Sequence, residues 1–130
     1  MDEFSLAFPG GKKVEIIYGD HRVMTDQPLE NGGEDAAMSP FDLFLGSIIA
    51  CSGIVALGFL RKRDLSTEGL QIRMRQDYDE EANLVRKLFI DVEVPADFPE
   101  KYKNALVKAS DTCTVKRHLV QVPAFEVTVA

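Results

Sequence analysis

Residues 41–60 form an almost unbroken apolar run in which Asp42 is the only charge, and Arg61-Lys62-Arg63 follows it directly. Such a segment must be covered on every side. Two environments do that: lipid, or a protein core wrapped around a central helix. Its length and basic flank match a transmembrane helix. Three features favour the protein core. Gly46, Ser47, Ser52, Gly53 and Gly58 dilute the run, no other segment is comparably apolar, and the sequence on both sides alternates like amphipathic strands that need a core of their own. The helix start is explicit. Ser39 is a good N-cap, Pro40 suits the first helical position, and Asp42 lies three residues after Ser39, an acidic capping box. The basic triplet suits the negative end of the helix dipole.

The flanking segments predict short strands over residues 4–8, 13–18 and 21–26, with turns at Pro9-Gly10-Gly11 and Gly19-Asp20. Residues 27–38 form a polar loop containing Gly32-Gly33. After the helix, Leu70, Ile72 and Met74 alternate with Gln71, Arg73 and Arg75. Leu88, Ile90, Val92 and Val94 then alternate with outward Lys87, Asp91 and Glu93. Residues 77–83 make an acidic connection between these two strands. Phe89 interrupts the polar face and points to a second covered surface. Residues 100–110 predict an amphipathic helix through Tyr102, Ala105, Leu106 and Ala109, and a short helical piece follows through Leu119, with Asp111 or Thr112 as its cap. A last strand is expected over residues 124–129, with Phe125, Val127 and Val129 on one face. The order of strands, helix, strands, helix and strand is α+β, in one compact domain over residues 1–130.

A net charge of −6 argues against nucleic acid or an anionic membrane as the main partner, since both attract basic surfaces. Two cysteines are too few for a secreted disulfide scaffold, and the acidic start Met1-Asp2-Glu3 is unlike a signal peptide. The expected compartment is the cytoplasm, where a disulfide is transient and functional rather than structural.

The chemistry rests on Cys51 and Cys113. Cys51 lies mid-helix, on a face with Phe44, Ser47, Ile48, Ile54, Val55 and Gly58. A thiol there behaves as a small hydrophobe unless a charge approaches it. Cys113 stands at a helix start with Lys116, Arg117 and His118 in the next turns, a setting that favours thiolate. By its local sequence Cys113 is the more reactive thiol, while buried structural cysteines explain both residues as well. His21 and His118 have no ligand spacing with each other or with the cysteines, so no metal is expected, and the residues call for no other cofactor. Gly10-Gly11 and Gly32-Gly33 lack the phosphate-binding pattern and read as turns.

Taken in order, Gly32-Gly33, then Met38-Ser39-Pro40-Phe41-Asp42-Leu43-Phe44-Leu45, then Ala50-Cys51, and finally Cys113-Thr114-Val115 resemble the signature of the OsmC / organic hydroperoxide resistance family. In that family the second cysteine is usually followed by Pro-Val. The resemblance implies an OsmC-like fold, antiparallel sheets around a long buried central helix, assembled as an intertwined homodimer with active sites at the subunit interface. It also implies that Cys51 attacks a hydroperoxide substrate and that Cys113 resolves the product to a disulfide, which an external dithiol then reduces. This order reverses the ranking that local sequence gives the two thiols.

The chain departs from the family pattern in two places. Peroxidase members usually place Glu directly after the helix-start Pro, where this chain has Phe41, with Asp42 one position on. They also use an Arg from the N-terminal strands to polarise the thiolate. Here Lys12, Lys13 and Arg22 are the available cations, with Arg22 and Asp42 as the nearest supporting residues. Without a matched cation, Cys51 is expected to keep an ordinary or raised pKa and any peroxidase activity to be weak. The alternative function is a non-enzymatic redox sensor or a binder of a small hydrophobic ligand.

Overall fold

A computed structural model describes residues 3–130, which divide into two compact units on either side of the Gly46–Ser47 bond. The first unit holds strands β1 (Phe4–Gly10), β2 (Lys13–Tyr18) and β3 (His21–Thr25), paired antiparallel in the order β1-β2-β3. Its register runs from Phe4 opposite Tyr18 and from Tyr18 opposite His21. The first strand outruns its expected end. Its pairing is irregular between Ala7 and Gly10, across Pro9, which has no N–H for the ladder, and regular pairing resumes at Gly10 opposite Lys13. The chain reverses at Gly11, whose φ of 58° is left-handed.

The loop after β3 is organised by Asp26, which is 1 % exposed. Its carboxylate accepts the N–H groups of Gln27 at 2.8 Å, Ala36 at 3.0 Å and Glu34 at 3.3 Å. Gly33 passes so close to the Gln27 backbone that a Cβ there would overlap it. Gly33 is therefore a packing requirement of this loop, and Gly32 supplies a left-handed φ of 85°. The N–H bonds from Ala36 and Gln27 outweigh burial and, with Glu34 and the charge of Lys13, hold the Asp26 pKa below the ordinary carboxyl value. At neutral pH the Asp26→Asn variant is expected to unfold at a lower urea concentration than the parent. A depressed folded-state pKa means the stabilisation is complete above the ordinary carboxyl range, about pH 4, and is lost as pH falls through the folded value. The two urea midpoints should therefore converge in acid. A gap that stays constant from neutral pH into acid would show that the charge does not hold the loop.

Helix α1 (Pro40–Lys62) begins as the capping box requires, with the Asp42 N–H donating to Ser39 Oγ at 3.2 Å. It continues into the second unit, which also holds β4 (Gln71–Asp79), β5 (Leu84–Glu93), α2 (Lys103–Ser110, preceded by a 3-10 turn over Glu100–Tyr102) and α3 (Thr114–Val120). The β4–β5 hairpin is longer than its alternation suggested. Pairing extends to Asp79 opposite Leu84, so the first three residues of the acidic connection are strand and residues 80–83 make the turn. The core gathers Ala56, Phe59 and Leu60 of α1 with Phe98 and Leu106, and Leu65, Ile72, Val92 and Tyr102 pack around them. The Arg63 guanidinium lies 3.5 Å from the Phe59 ring centroid and closes this cluster. On α2, Leu106 and Ser110 are buried while Ala105, expected on the inner face, is exposed.

Three expectations change. Among the described residues, the cover expected over Phe89 comes from the cations of Arg75 and Lys87, at 5.0 and 4.8 Å from its ring centroid. The cap of α3 is Cys113 itself. Residues 124–129 form no paired strand, and Phe125, Val127 and Val129 are 87 %, 91 % and 100 % exposed. Alternation identifies a strand's apolar face, but a strand also needs an edge to pair with, and this segment has none among the described residues. Within the second unit α1 is not covered all round either. Ile48, Ser52, Ala56 and Leu60 are buried, whereas Ile54 is 64 % exposed and Ser47 and Ala50 face out with it. By length and composition α1 could cross a membrane, yet its inner face is packed into protein as the central helix of an α+β fold.

Candidate functional site

Cys51 and Cys113 come together in the second unit. On α1, Cys51 falls between the buried Ile48–Ser52 side and the outward Ala50–Ile54 side, and it is half-buried. Cys113 reaches it from the far end of the chain. Helix α2 stops at Ser110, and the turn is closed by the Thr112 N–H at 3.1 Å and the Thr112 hydroxyl at 2.8 Å, both donating to the Ala109 carbonyl. Cys113 then adopts an extended conformation (φ −65°, ψ 151°) and caps α3, its sulfur accepting the Lys116 N–H at 3.4 Å. Cys113 is 2 % exposed. Both residues are free thiols, close enough that each acts on the ionisation of the other.

Their environments differ in sign. Burial pushes the Cys51 thiol up, but the Val115 N–H, the Cys113 thiol, the Thr114 N–H and the charge of Lys116 outweigh it, and its pKa lies below the ordinary cysteine value. For Cys113 burial prevails. The Lys116 N–H and charge pull its pKa down, the neighbouring Cys51 pushes it up, and the net shift is upward. The local-sequence ranking is thus inverted, and the expected ordinary or raised pKa at Cys51 is corrected. Donors from residues 114–116 stand where no sequence window around Cys51 could show them. Thr114 occupies the place of the family's usual Pro, and a Pro there would have no N–H to offer.

The supporting residues named from sequence have partners of their own. Arg22 pairs with Glu15 at 2.7 Å on the three-stranded sheet, and the backbone of Asp42 is held by Ser39 in the first turn of α1. His118 Nδ1 lies 2.7 Å from the Thr114 carbonyl, an internal bond of α3. Lys116, which sequence reading placed only as a neighbour of Cys113, is the charged side chain that acts on both thiols. It also borders a cleft of about 290 Å³ whose walls include Ile48, Leu88, Ile90 and Leu119, with Asp111 beside it.

Fold and site together define a class: an α+β protein with a long central helix carrying one thiol and a C-terminal helix cap carrying its partner. The family model for OsmC-like protein matches residues 32–128, and the chain belongs to that family. Among solved structures, the chain is similar to a Psychrobacter arcticus protein described as osmotic stress induced and of the detoxification response (TM-score 0.77, 19% identity, covering 90% of this chain and 87% of that one). It is also similar to an OsmC-like protein from Mycoplasma pneumoniae (0.72, 13% identity, 94% and 89%). A third is an organic hydroperoxide resistance protein OsmC from Legionella pneumophila (0.60, 17% identity, 92% and 88%). A search of curated protein sequences gave no match. The family is associated with oxidative stress and hydroperoxide resistance.

Proposed function

We propose that this protein is a cytoplasmic, homodimeric, thiol-dependent reductase of organic hydroperoxides. The observation that carries the reading is the Cys51 thiol, partly accessible, with its pKa lowered by N–H donors and a cation, and with a second, less acidic thiol close beside it. The Cys51 thiolate attacks the distal oxygen of the hydroperoxide. The O–O bond breaks, the alkoxide takes a proton and leaves as the alcohol, and Cys51 becomes a sulfenic acid. The Cys113 sulfur then attacks the Cys51 sulfur, water leaves, and a disulfide forms. An external dithiol returns both cysteines to thiols and is itself oxidised to a disulfide. The test is peroxide consumption with and without dithiol: sustained turnover only with dithiol supports the enzyme, and its absence removes this reading.

The second reading, a redox sensor or a binder of a small hydrophobic ligand, is favoured by the apolar cleft beside Lys116 and by Phe41 in place of the family's Glu. Oxidation that stops at one equivalent selects the sensor, and no oxidation selects the binder.

The dimer is supported by the apolar surface left open on one chain. Ile54 and Val107 are 64 % and 61 % exposed, and the apolar face of residues 124–129 has no edge to pair with among the described residues. Light scattering is expected to return twice the 14.5 kDa chain mass; a monomer would remove the dimer from the proposal.

A further inference from the structure

We infer that Lys116 is the positioning cation of the Cys51–Cys113 pair, held in place by the end of α2. The inference rests on the thiol chemistry proposed above. Its geometric basis is a side chain fixed at both ends. The Lys116 backbone N–H donates to Cys113 Sγ at 3.4 Å, so the residue is anchored at the thiol cap. Its ammonium donates to the Ser110 carbonyl at 3.0 Å and lies 3.6 Å from Asp111 Oδ1, and only 24% of the side chain is exposed. A lysine on a free surface would sample many rotamers, whereas the Ser110 carbonyl holds the charge against the turn that presents Cys113.

Two of the cations named from sequence make ion pairs within the first unit. Lys13 pairs with Glu34 at 2.8 Å and Arg22 with Glu15 at 2.7 Å. The charged groups that share a cleft with Lys116 are Asp111, Arg117 and His118 on its polar side, while β5 lines the cleft on its other side with Leu88, Ile90 and Val92. Asp111 is largely exposed, so solvent screens its opposition to the lysine more than it screens the lysine itself. The field of Lys116 lowers the pKa of both thiols, and the N–H donors from residues 114 and 115 direct the resulting charge to Cys51.

The test measures iodoacetamide alkylation of Cys51 against pH in the Cys113→Ser background, where one thiol remains. Lys116→Met keeps the aliphatic stem and the backbone N–H but removes the charge. It is expected to move the alkylation midpoint to higher pH and slow the reaction near neutrality by about fivefold, the scale of one partly solvated charge at several ångströms. Lys116→Arg should restore the midpoint. Asp111→Asn, at an exposed position, should leave alkylation as fast as in the parent or faster. An unchanged midpoint in Lys116→Met, or slower alkylation in Asp111→Asn, overturns the inference. If the parent turns over no peroxide but Lys116→Met still shifts the midpoint, the enzymatic reading fails and the role of Lys116 stands.

Discussion

Replacing Cys51 by serine is expected to bring dithiol-driven consumption of an organic hydroperoxide to the uncatalysed background, a loss of about three orders of magnitude or more. The reason lies in the nucleophile. A serine hydroxyl at this position meets the same N–H donors of Thr114 and Val115 and the same Lys116 charge, but it stays protonated at neutral pH and cannot form a sulfenic acid. Cys113→Ser should behave differently. One equivalent of peroxide per chain should still be consumed, the sulfenic acid at Cys51 should persist long enough to be trapped, and no intramolecular disulfide should form. In the parent that disulfide requires the two Cα atoms to come within roughly 7 Å, and peptide mapping after oxidation would locate it. The opposite pattern, an inactive Cys113→Ser with an active Cys51→Ser, would transfer the attacking role to Cys113. It would also separate reactivity from the environments described for the two thiols, since the one with the raised pKa would then be the nucleophile.

The largest stability effect is expected at Leu60→Ala, with a loss of about 2–5 kcal/mol. Leu60 is fully buried and sits in the cluster of Ala56, Phe59, Phe98 and Leu106. The size of the loss depends on whether neighbours can move into the vacated space, and here they are braced. Phe59, Phe98 and Tyr102 pack with ring centroids 6.2–6.5 Å apart, and Arg63 is held over Phe59 by its own hydrogen bond to the Phe59 carbonyl at 3.1 Å. The cavity should therefore stay open. Urea unfolding at a fixed protein concentration measures the effect, the concentration being fixed because association would couple to stability. A loss below about 1 kcal/mol would mean that the cluster collapses into the space and that the aromatic trio is less rigid than its packing implies.

Much of the fold was legible because it follows from local chemistry. The start of α1 was written in Ser39, Pro40 and Asp42, since an N-cap is a contact between residues three apart, and the bond from the Asp42 N–H to Ser39 Oγ is that contact. Strands β4 and β5 were announced by a period of two, which identifies inner and outer faces without any knowledge of partners, and β2 and β3 by the turn residues that bound them. The thiol pair was legible only through the resemblance, in which Cys51 and Cys113 stand at the family's two positions. Nothing in the spacing of those residues brings them together. The segment over residues 124–129 marks the limit of pattern reading: its alternation is as clear as that of β5, yet a strand exists only where an edge accepts its hydrogen bonds.

What the sequence by itself determined is the kind of each element and the identity of the chemical groups: an apolar central helix with one thiol, a second thiol at a helix cap, and a basic run after it. What the tertiary structure decided is which thiol is the more acidic. Local composition favours Cys113, because charges within a few residues are all that a sequence window contains. Folding places the N–H groups of Thr114 and Val115 on the sulfur of Cys51 and leaves Cys113 buried behind it. Desolvation and hydrogen bonding act over a few ångströms of space rather than along the chain, so the ordering of the two pKa values is a property of the packed site and of no segment within it.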